Sequence, residues 1–138
     1  MAKTVQISDA VRAFLNEPRF AVLATIGADG TPQQSVMWYE LQGDTIMMNT
    51  TASRVKNSNV RRDPRVSMCF EEGYTYVAIR GTVTEIIDDT ETAENDIISL
   101  AIRYNPGTSP DEYGHFRTGD RQTLRISIDK LTSHGLTD

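Results

Sequence analysis

Cysteine and histidine are scarce in this chain. One cysteine, Cys69, and two histidines, His115 and His134, occur among its 138 residues. A single cysteine cannot form an internal disulfide, and neither histidine stands beside a second ligand type at metal spacing. Cys69 falls in an apolar strand pattern, where a packed thiol is more common than a nucleophile. The sequence therefore predicts no metal site and a reducing compartment.

Long apolar runs are also missing. No run approaches the roughly 20 residues needed to cross a bilayer. The start, Met1-Ala2-Lys3-Thr4, leads into a polar helix pattern without the apolar core of a signal peptide. We therefore expect a cytoplasmic protein with no membrane partner. The length, with 38% apolar and 24% charged residues, is typical of one globular domain, taken as residues 1–138.

Familiar catalytic motifs are absent as well. There is no glycine-rich phosphate loop, because Gly27 and Gly30 belong to a hairpin pattern, and no serine stands in a nucleophile-elbow context. The carboxylate pair Asp88-Asp89 precedes a helix pattern, where capping explains it better than acid–base chemistry. An enzyme with this sequence would depend on a cofactor for its reactive atoms.

Charge is unevenly distributed along the chain. The net charge of −5 argues against nucleic-acid binding. One segment from Ser53 to Arg65 nevertheless has five cations and a single acid. A small basic patch on an acidic protein indicates one anionic small molecule as the partner. The five cations are Arg54, Lys56, Arg61, Arg62 and Arg65.

The stretch from Asn49 to Asn57 carries the strongest functional signal. A strand pattern gives way there to a helix pattern that reaches about Arg62, with Ser53 as the predicted N-cap. Arg54 and Lys56 then occupy the first helical turn, where the helix dipole favours acids. Two cations at this end are unfavourable unless an anion lies among them, which predicts a phosphate site. The alternative is an ordinary solvated surface helix.

Hydrophobic periodicity predicts mostly strands, joined by short turns and flanked by helices. A glycine inside the longest strand, Gly81, predicts a bulge. The pattern indicates a mainly β (α+β) fold, a small antiparallel barrel of six strands with peripheral helices. The predicted strands are Phe20–Ile26, Gln33–Leu41, Thr45–Thr50, Arg65–Glu71, Tyr74–Ile87 and Arg121–Ile128, followed by a polar tail, Leu131–Asp138. The predicted helices are Ser8–Asn16, one starting after Ser53, one from Asp88 to about Tyr104, and a short one opened by Ser109-Pro110.

Unexpected polarity marks the second predicted strand. Gln33, Gln34 and Ser35 stand where a core strand would be aliphatic. This pattern is consistent with a strand that faces a ligand. A half-buried strand near the edge of the sheet explains it equally well.

The order of several motifs resembles a known family. These are Ala-Val-Leu-Ala-Thr-Ile from Ala21, Asp-Gly-Thr-Pro-Gln from Asp29, Ser-Arg-Val-Lys-Asn from Ser53, Arg-Arg-Asp-Pro-Arg-Val from Arg61 and a tyrosine strand from Tyr74 to Gly81. Across roughly residues 8 to 128 the chain resembles the split β-barrel flavin and deazaflavin (F420)-dependent oxidoreductases, relatives of pyridoxamine 5′-phosphate oxidase. The resemblance implies a six-stranded antiparallel split β-barrel of the FMN-binding type.

The resemblance also implies a cofactor, a partner and a reaction. The expected cofactor is coenzyme F420, a deazaflavin hydride carrier, bound at a homodimer interface and reducing an electron-poor small molecule. The alternatives are an FMN-binding oxidoreductase of the same fold and a non-catalytic carrier of F420 or flavin. The cofactor phosphate would lie on Ser53, Arg54, Lys56 and Asn57, and its ring along Val36, Met37, Asn49 and Thr50. Further candidates, with packing in the core as the alternative for the aromatic ones, are Gln34, Ser35, Trp38, Tyr74 and Tyr76.

Two departures from the family pattern refine this expectation. A pyridoxamine phosphate oxidase carries a C-terminal Arg-x-His substrate motif and a tryptophan-containing tail, and residues 121–138 contain neither. Vitamin B6 oxidation is therefore disfavoured. FMN and F420 share a phosphate and a tricyclic ring, so the helix site alone does not separate them. The longer anionic tail of F420 would benefit from additional cations such as Arg61 or Arg62.

Overall fold

The computed structural model describes residues 5–137, so the predictions for Met1 to Thr4 and for Asp138 lie outside the described residues. The helices are α1 (Asp9–Asn16), α2 (Val55–Arg62) and α3 (Thr90–Tyr104), with a 3₁₀ segment at Pro110–Phe116. The strands are β1 (Ala21–Ile26), β2 (Pro32–Met37), β3 (Glu40–Gln42), β4 (Thr45–Thr51), β5 (Arg65–Glu72), β6 (Thr75–Ile87) and β7 (Arg121–His134).

The strands form one antiparallel sheet in the order β2-β1-β5-β6-β7-β4-β3. This arrangement confirms the predicted mainly β split-barrel fold with helices around it. The strand number differs, because the sheet has seven strands instead of six. Within the described chain no helix is long and apolar enough to cross a membrane.

The additional strand arises from a break in the predicted strand Gln33–Leu41. The chain leaves the sheet after Met37 and re-enters it as β3. Tyr39 lies in this break with its side chain fully buried, and its hydroxyl donates to the carbonyl of Leu15 at 2.9 Å. Its backbone N–H donates to the hydroxyl of Tyr104 at 3.1 Å instead of to a neighbouring strand. Burial of the ring thus outweighs continued strand pairing.

Alternating apolar residues build the core between the curved halves of the sheet. In β5, Val66, Met68 and Phe70 are buried while the residues between them are not. The predicted bulge is confirmed, because the register of β6 against β7 shifts between Arg80 and Gly81. A Cβ at Gly81 would collide with the carbonyl oxygen of Ser127. The sheet therefore requires glycine at this position.

The last strand is longer than predicted. The segment assigned to a polar tail continues β7 to His134, which pairs with Tyr76 of β6. Its side chains are mostly exposed, so the apolar alternation that marks strands in sequence is missing there. Backbone pairing with an existing long neighbour is sufficient to extend the strand.

Two predicted helix starts are confirmed. The Ser8 hydroxyl accepts from the N–H of Val11 at 3.2 Å at the start of α1. The Asp89 carboxylate accepts from the N–H of Thr92 at 3.0 Å at the start of α3. α3 buries its apolar stripe against the sheet and covers one side of β4.

Candidate functional site

A cavity of about 460 Å³ lies where β2, β4, α2 and α3 meet. One end is basic and the other is aromatic and aliphatic. The residues that line it are Phe20, Ser35, Val36, Met37, Trp38, Asn49, Thr50, Thr51, Arg54, Lys56, Ile97, Leu100, Phe116 and Arg121.

The basic end is built around the first turn of α2. The helix begins at Val55 with Arg54 as its N-cap, and no side chain caps it, so the prediction of Ser53 as the N-cap is wrong. The reason is a turn in which the N–H of Arg54 donates to the carbonyl of Thr51 at 3.1 Å. Because of this turn, the helix begins one residue later than predicted. Within residues 5–137 the N–H groups of Val55 and Lys56 have no acceptor. Free N–H groups at a helix start are suited to an anion.

Lys56 is a buried cation without a partner. The residue as a whole is 9% exposed, and no carboxylate or other acceptor within the described chain contacts its ammonium group. Burial lowers the pKa of Lys56, and the positive charge of Arg54 lowers it further. Arg54 also lacks an ion-pair partner among residues 5–137. Such an arrangement is unfavourable in the ligand-free protein and is relieved when an anion binds.

A third cation, Arg121, shares this wall and was missed by the sequence analysis. Burial lowers the pKa of Arg121; the charge of Arg54 acts in the same direction, whereas Asp120 and Glu94 oppose it. Its Nε donates to the carbonyl of Phe116 at 3.3 Å. Arg121 reaches the cavity because β7 pairs with β4, which places it opposite Thr51. Only this long-range pairing reveals its proximity to α2.

Buried hydrogen bonds hold α2 in place behind the basic end. The Asn57 amide donates to Oε1 of Gln122 at 2.5 Å, and the Arg61 guanidinium donates to the same oxygen at 2.9 Å. Asn59 donates to the hydroxyl of Thr25 at 3.0 Å, and Arg62 donates to Asn59 at 2.7 Å. Asn57, Arg61 and Arg62 therefore anchor the helix, and none of the three lines the cavity.

Aromatic rings form the opposite end. Trp38 stacks on Tyr104 with 5.2 Å between ring centroids, and Phe116 meets Trp38 edge-on at 6.2 Å. Phe20 also stacks on Tyr104, with 6.1 Å between ring centroids. The Tyr104 hydroxyl is fixed by donation to the carbonyl of Arg19 at 2.6 Å. The result is an aromatic wall with Ile97 and Leu100 of α3 among the lining residues, an apolar environment suited to a planar ring system.

The structure brings most of the predicted site residues together at this cavity. They include the phosphate candidates Arg54 and Lys56 and the ring candidates Asn49 and Thr50. Val36 is 66% exposed and forms part of the rim. The predicted residues that line the cavity are Ser35, Val36, Met37, Trp38, Asn49, Thr50, Arg54 and Lys56.

Five predicted residues do not line this cavity. Ser53 is exposed beside it, and Asn57 is buried behind it. Gln34 faces a different cavity on the outer side of the sheet. Tyr74 and Tyr76 lie near the turn between β5 and β6, where Tyr76 stacks on His134 at 5.4 Å. In one copy of the chain these two tyrosines are remote from the basic wall.

Besides Arg121, the cavity residues that were not predicted from the sequence are of two kinds. Ile97 and Leu100 belong to the apolar stripe of α3, which predicts packing but not which packed residues border a cavity. Phe20, Thr51 and Phe116 adjoin predicted elements and lack a chemical signal of their own. Among the described residues that line the cavity, none carries a carboxyl, imidazole, thiol or phenol group.

These features fit a cofactor that joins a phosphate to a planar ring. The phosphate would find three cations and free N–H groups, and the ring would find an aromatic and aliphatic wall. Two polar atoms without partners, Oγ of Ser35 and Oδ1 of Asn49, are available to a ring with polar edges.

Comparison with known proteins agrees with this architecture. Residues 7–135 match the family model described as pyridoxamine 5′-phosphate oxidase. A pyridoxine/pyridoxamine 5′-phosphate oxidase of Kineococcus radiotolerans is 36% identical over 81 residues, which cover 57% of this chain and 36% of the relative. The match thus spans about a third of that curated relative's length.

Two solved structures are similar over most of their length. An F420 reductase is 28% identical with a TM-score of 0.77, covering 88% of this chain and 94% of the reductase. A conserved hypothetical protein of Mycobacterium tuberculosis is 30% identical with a TM-score of 0.78, covering 96% of this chain and 88% of that protein. The chain therefore belongs to the pyridoxamine 5′-phosphate oxidase family, the split-barrel flavin and deazaflavin oxidoreductases that its motifs resemble.

Proposed function

We propose that this protein binds coenzyme F420 in the cavity between β2, β4, α2 and α3 and reduces an electron-poor small molecule with it. The observation that carries the proposal is the basic wall, where Arg54, Lys56 and Arg121 face one cavity. Lys56 is buried and unpaired there. A bound phosphate would stabilise the two cations at the helix start, Arg54 and Lys56.

The choice of F420 over FMN is supported by two observations. An F420 reductase is similar to this chain over nearly the whole of both proteins. Arg121 adds a third cation beyond the two at the helix start, which suits the longer anionic tail of F420 better than a single phosphate. The expected tail partners Arg61 and Arg62 are instead engaged with Gln122 and Asn59.

FMN is the second candidate. The curated Kineococcus radiotolerans relative is a pyridoxine/pyridoxamine 5′-phosphate oxidase. Phosphate and ring would use the same two ends of the cavity.

The protein's own residues would act by binding and orientation. A reduced deazaflavin, when bound, supplies the hydride. Arg54, Lys56 and the N–H groups at the start of α2 would fix the phosphate end, while Trp38 and Phe116 would confine the ring and exclude water. The cavity lining has no carboxyl, imidazole, thiol or phenol group among the described residues, and the ammonium group of Lys56 would be held by the phosphate, so we expect solvent to supply the proton that completes the reduction.

A homodimer is part of the proposal. The outer side of the sheet, where β1, β5, β6 and β7 run side by side, carries small and apolar residues around a second cavity of about 340 Å³. Val22, Ala24 and Ala78 line it together with Arg80 and Lys130. Apolar groups exposed on a sheet face favour association, and a second copy of the chain would cover those on this face.

Titration with the two cofactors tests the proposal. Purified protein is titrated separately with F420 and FMN, and ring fluorescence and thermal stabilisation are recorded. We expect F420 to bind at least about tenfold more tightly, a difference of roughly 1.4 kcal/mol. Tighter binding of FMN would favour the second candidate. Equal and weak binding of both would refute the proposal, and tight binding without turnover of any acceptor would indicate a carrier.

A further inference from the structure

Two buried polar atoms at the cavity have no hydrogen-bond partner. They are Oγ of Ser35, on β2, and Oδ1 of Asn49, on β4. Asn49 is 7% exposed, so solvent does not compensate its oxygen. Unpaired buried polar atoms are rare in folded proteins and each carries a free-energy cost. Two of them at one cavity point to a ligand that brings the missing partners.

The orientation of the Asn49 amide is determined by its surroundings. Its Nδ2 donates to the carbonyl of Ala93 at 2.9 Å and to Oγ1 of Thr123 at 3.1 Å. The Thr123 hydroxyl in turn donates its own hydrogen to the carboxylate of Asp96 at 2.7 Å, so it can only accept from Asn49.

Rotating the amide by 180° would place Oδ1 against the carbonyl oxygen of Ala93. Two acceptors would then face each other, while Thr123 would have no donor to accept from. The oxygen is therefore fixed as the free group. Thr123 and Asp96 act as positioning residues for it, because they hold the nitrogen side of the amide.

We propose that Asn49 and Ser35 recognise the hydrogen-bonding edge of the cofactor ring. Oδ1 of Asn49 would accept a hydrogen bond from a ring N–H, and the Ser35 hydroxyl would donate one to an adjacent ring carbonyl. This inference rests on the proposed function and extends it to the part of the cofactor that is recognised. The pyrimidine edge of flavins and deazaflavins offers an N–H between two carbonyls. That pattern complements one acceptor and one donor.

The two atoms have different consequences for the ligand-free protein. Asn49 also stabilises the fold through its two donated hydrogen bonds. Ser35 makes no side-chain hydrogen bond, so its hydroxyl contributes only a cost until a ligand accepts from it. Replacing Ser35 therefore separates recognition from folding, whereas replacing Asn49 does not.

A methylated cofactor analogue tests the Asn49 contact in the wild-type protein. Dissociation constants are measured for the parent deazaflavin cofactor and for its derivative methylated at the ring N–H. We expect the methyl derivative to bind at least about tenfold more weakly, because the buried oxygen then faces a methyl group. Equal binding of the two would overturn the inference while leaving the proposed function intact. Failure of the parent to bind would refute both.

Variants assign the effect to these residues. We expect Asn49→Ala to bind parent and methyl derivative within about threefold of each other, and Asn95→Ala, an exposed amide on α3, to retain the wild-type difference. Ser35→Ala should bind the parent about three- to tenfold more weakly with an unchanged or higher melting temperature. A Ser35→Ala protein with wild-type affinity, or full discrimination by Asn49→Ala, would contradict the inference.

Discussion

At the scale of single residues, Lys56 is the strongest indication of an anion site. Lys56 is only 9% exposed as a residue, its ammonium group has no partner in the described chain, and it lines a cavity together with two guanidinium groups. Such a group lowers the stability of the ligand-free protein, and a bound anion would offset that cost. Among the three cations, Lys56 has the lowest exposure. Its charge is therefore the one that a bound anion would stabilise most.

Removing the charge of Lys56 should weaken cofactor binding. We expect Lys56→Ala to lose about 1–3 kcal/mol of binding free energy, the value of a charge-assisted hydrogen bond, for F420 or FMN alike. The measurement is a fluorescence titration. Arg12→Ala is a matched control, because Arg12 pairs with Asp44 on the surface and does not line the cavity. Unchanged affinity of Lys56→Ala would show that the phosphate lies elsewhere.

The pH dependence of binding provides an independent test of the same residue. Burial lowers the pKa of Lys56 below its ordinary value of 10.5, so its charge is lost earlier than that of an exposed lysine as pH rises. Only the charged amine attracts a phosphate, and we therefore expect affinity to fall as pH approaches 10.5 from neutrality. Lys56→Arg should bind at neutral pH and lose this alkaline fall, because arginine stays charged. The same decline in both proteins would exclude Lys56 as its cause.

The same pKa shift has a consequence for stability, with a definite sign. Between the lowered pKa of folded Lys56 and 10.5, the unfolded chain binds more protons than the folded one. The contribution of Lys56 to the free energy of unfolding of the ligand-free protein therefore increases as pH rises through that window. A bound phosphate would remove this increase in stability with pH, because the phosphate favours the charged amine in the folded state.

Part of the site could be predicted from residues alone. Arg54 and Lys56 violate the charge preference of a helix start, and this local anomaly is visible in sequence. Arg121 gives no such signal, because its role depends on pairing between β7 and β4 across some seventy residues of chain. The misplaced N-cap at Ser53 has a similar origin. A turn ahead of α2 determines where the helix begins. The N–H of Ala52 donates to the carbonyl of Asp120 and stabilises this turn.

At the scale of elements, the site depends on how α2 is attached to the sheet. Gln122 of β7 accepts from both Asn57 and Arg61, and Thr25 of β1 accepts from Asn59. These bonds connect one short helix to two strands that are separated in the sheet. They explain why polar residues fill the buried side of α2. An apolar helix stripe, the usual sequence signal for packing, is therefore absent there.

The bulge in β6 gives a prediction about folding at this scale. A methyl group at Gly81 would collide with the carbonyl of Ser127 and the side chain of Ile126. We expect Gly81→Ala to lower the free energy of unfolding by about 1–3 kcal/mol, as overpacking does. Urea denaturation measures the change. Gly114→Ala is the control, because a Cβ there meets nothing within 4 Å and should leave stability within about 0.5 kcal/mol. Equal stability of both variants would contradict the tight bulge.

Element boundaries show where sequence patterns reach their limit. Strands with apolar alternation, such as β5, were predicted within a residue or two. The break at Tyr39 and the extension of β7 to His134 were not predicted. At Tyr39, burial of the ring outweighs strand pairing. Near His134 the side chains are exposed, so the sequence lacks the apolar alternation that would indicate a paired strand. Both outcomes are decided by neighbours that are distant in sequence.

At the scale of the whole molecule, one sheet face remains uncovered in a single copy of the chain. The face around Val22, Ala24 and Ala78 is opposite the core and has no helix over it among the described elements. The cofactor cavity is open at its rim, where Phe20 and Val36 are exposed. A second copy of the chain would bury apolar surface of this kind.

A charge placed on this face tests the dimer. We expect the wild-type protein to sediment as a dimer and Ala78→Arg to sediment as a monomer, because Arg80 and Lys130 already make this face positive. Circular dichroism should be unchanged, since Ala78 points away from the core. Asn95→Arg on the exposed side of α3 is the control and should remain dimeric. A monomeric wild-type protein, or a dimeric Ala78→Arg variant, would contradict this interface.

A crystal structure of the protein with F420 would test directly whether this cavity binds the cofactor. We predict that the phosphate lies within hydrogen-bonding distance of Arg54, Lys56 and the N–H groups at the start of α2, with the ring between Asn49 and the wall formed by Trp38 and Phe116. F420 bound on the outer face of the sheet, or bound with its phosphate remote from Lys56, would contradict the assignment of this cavity.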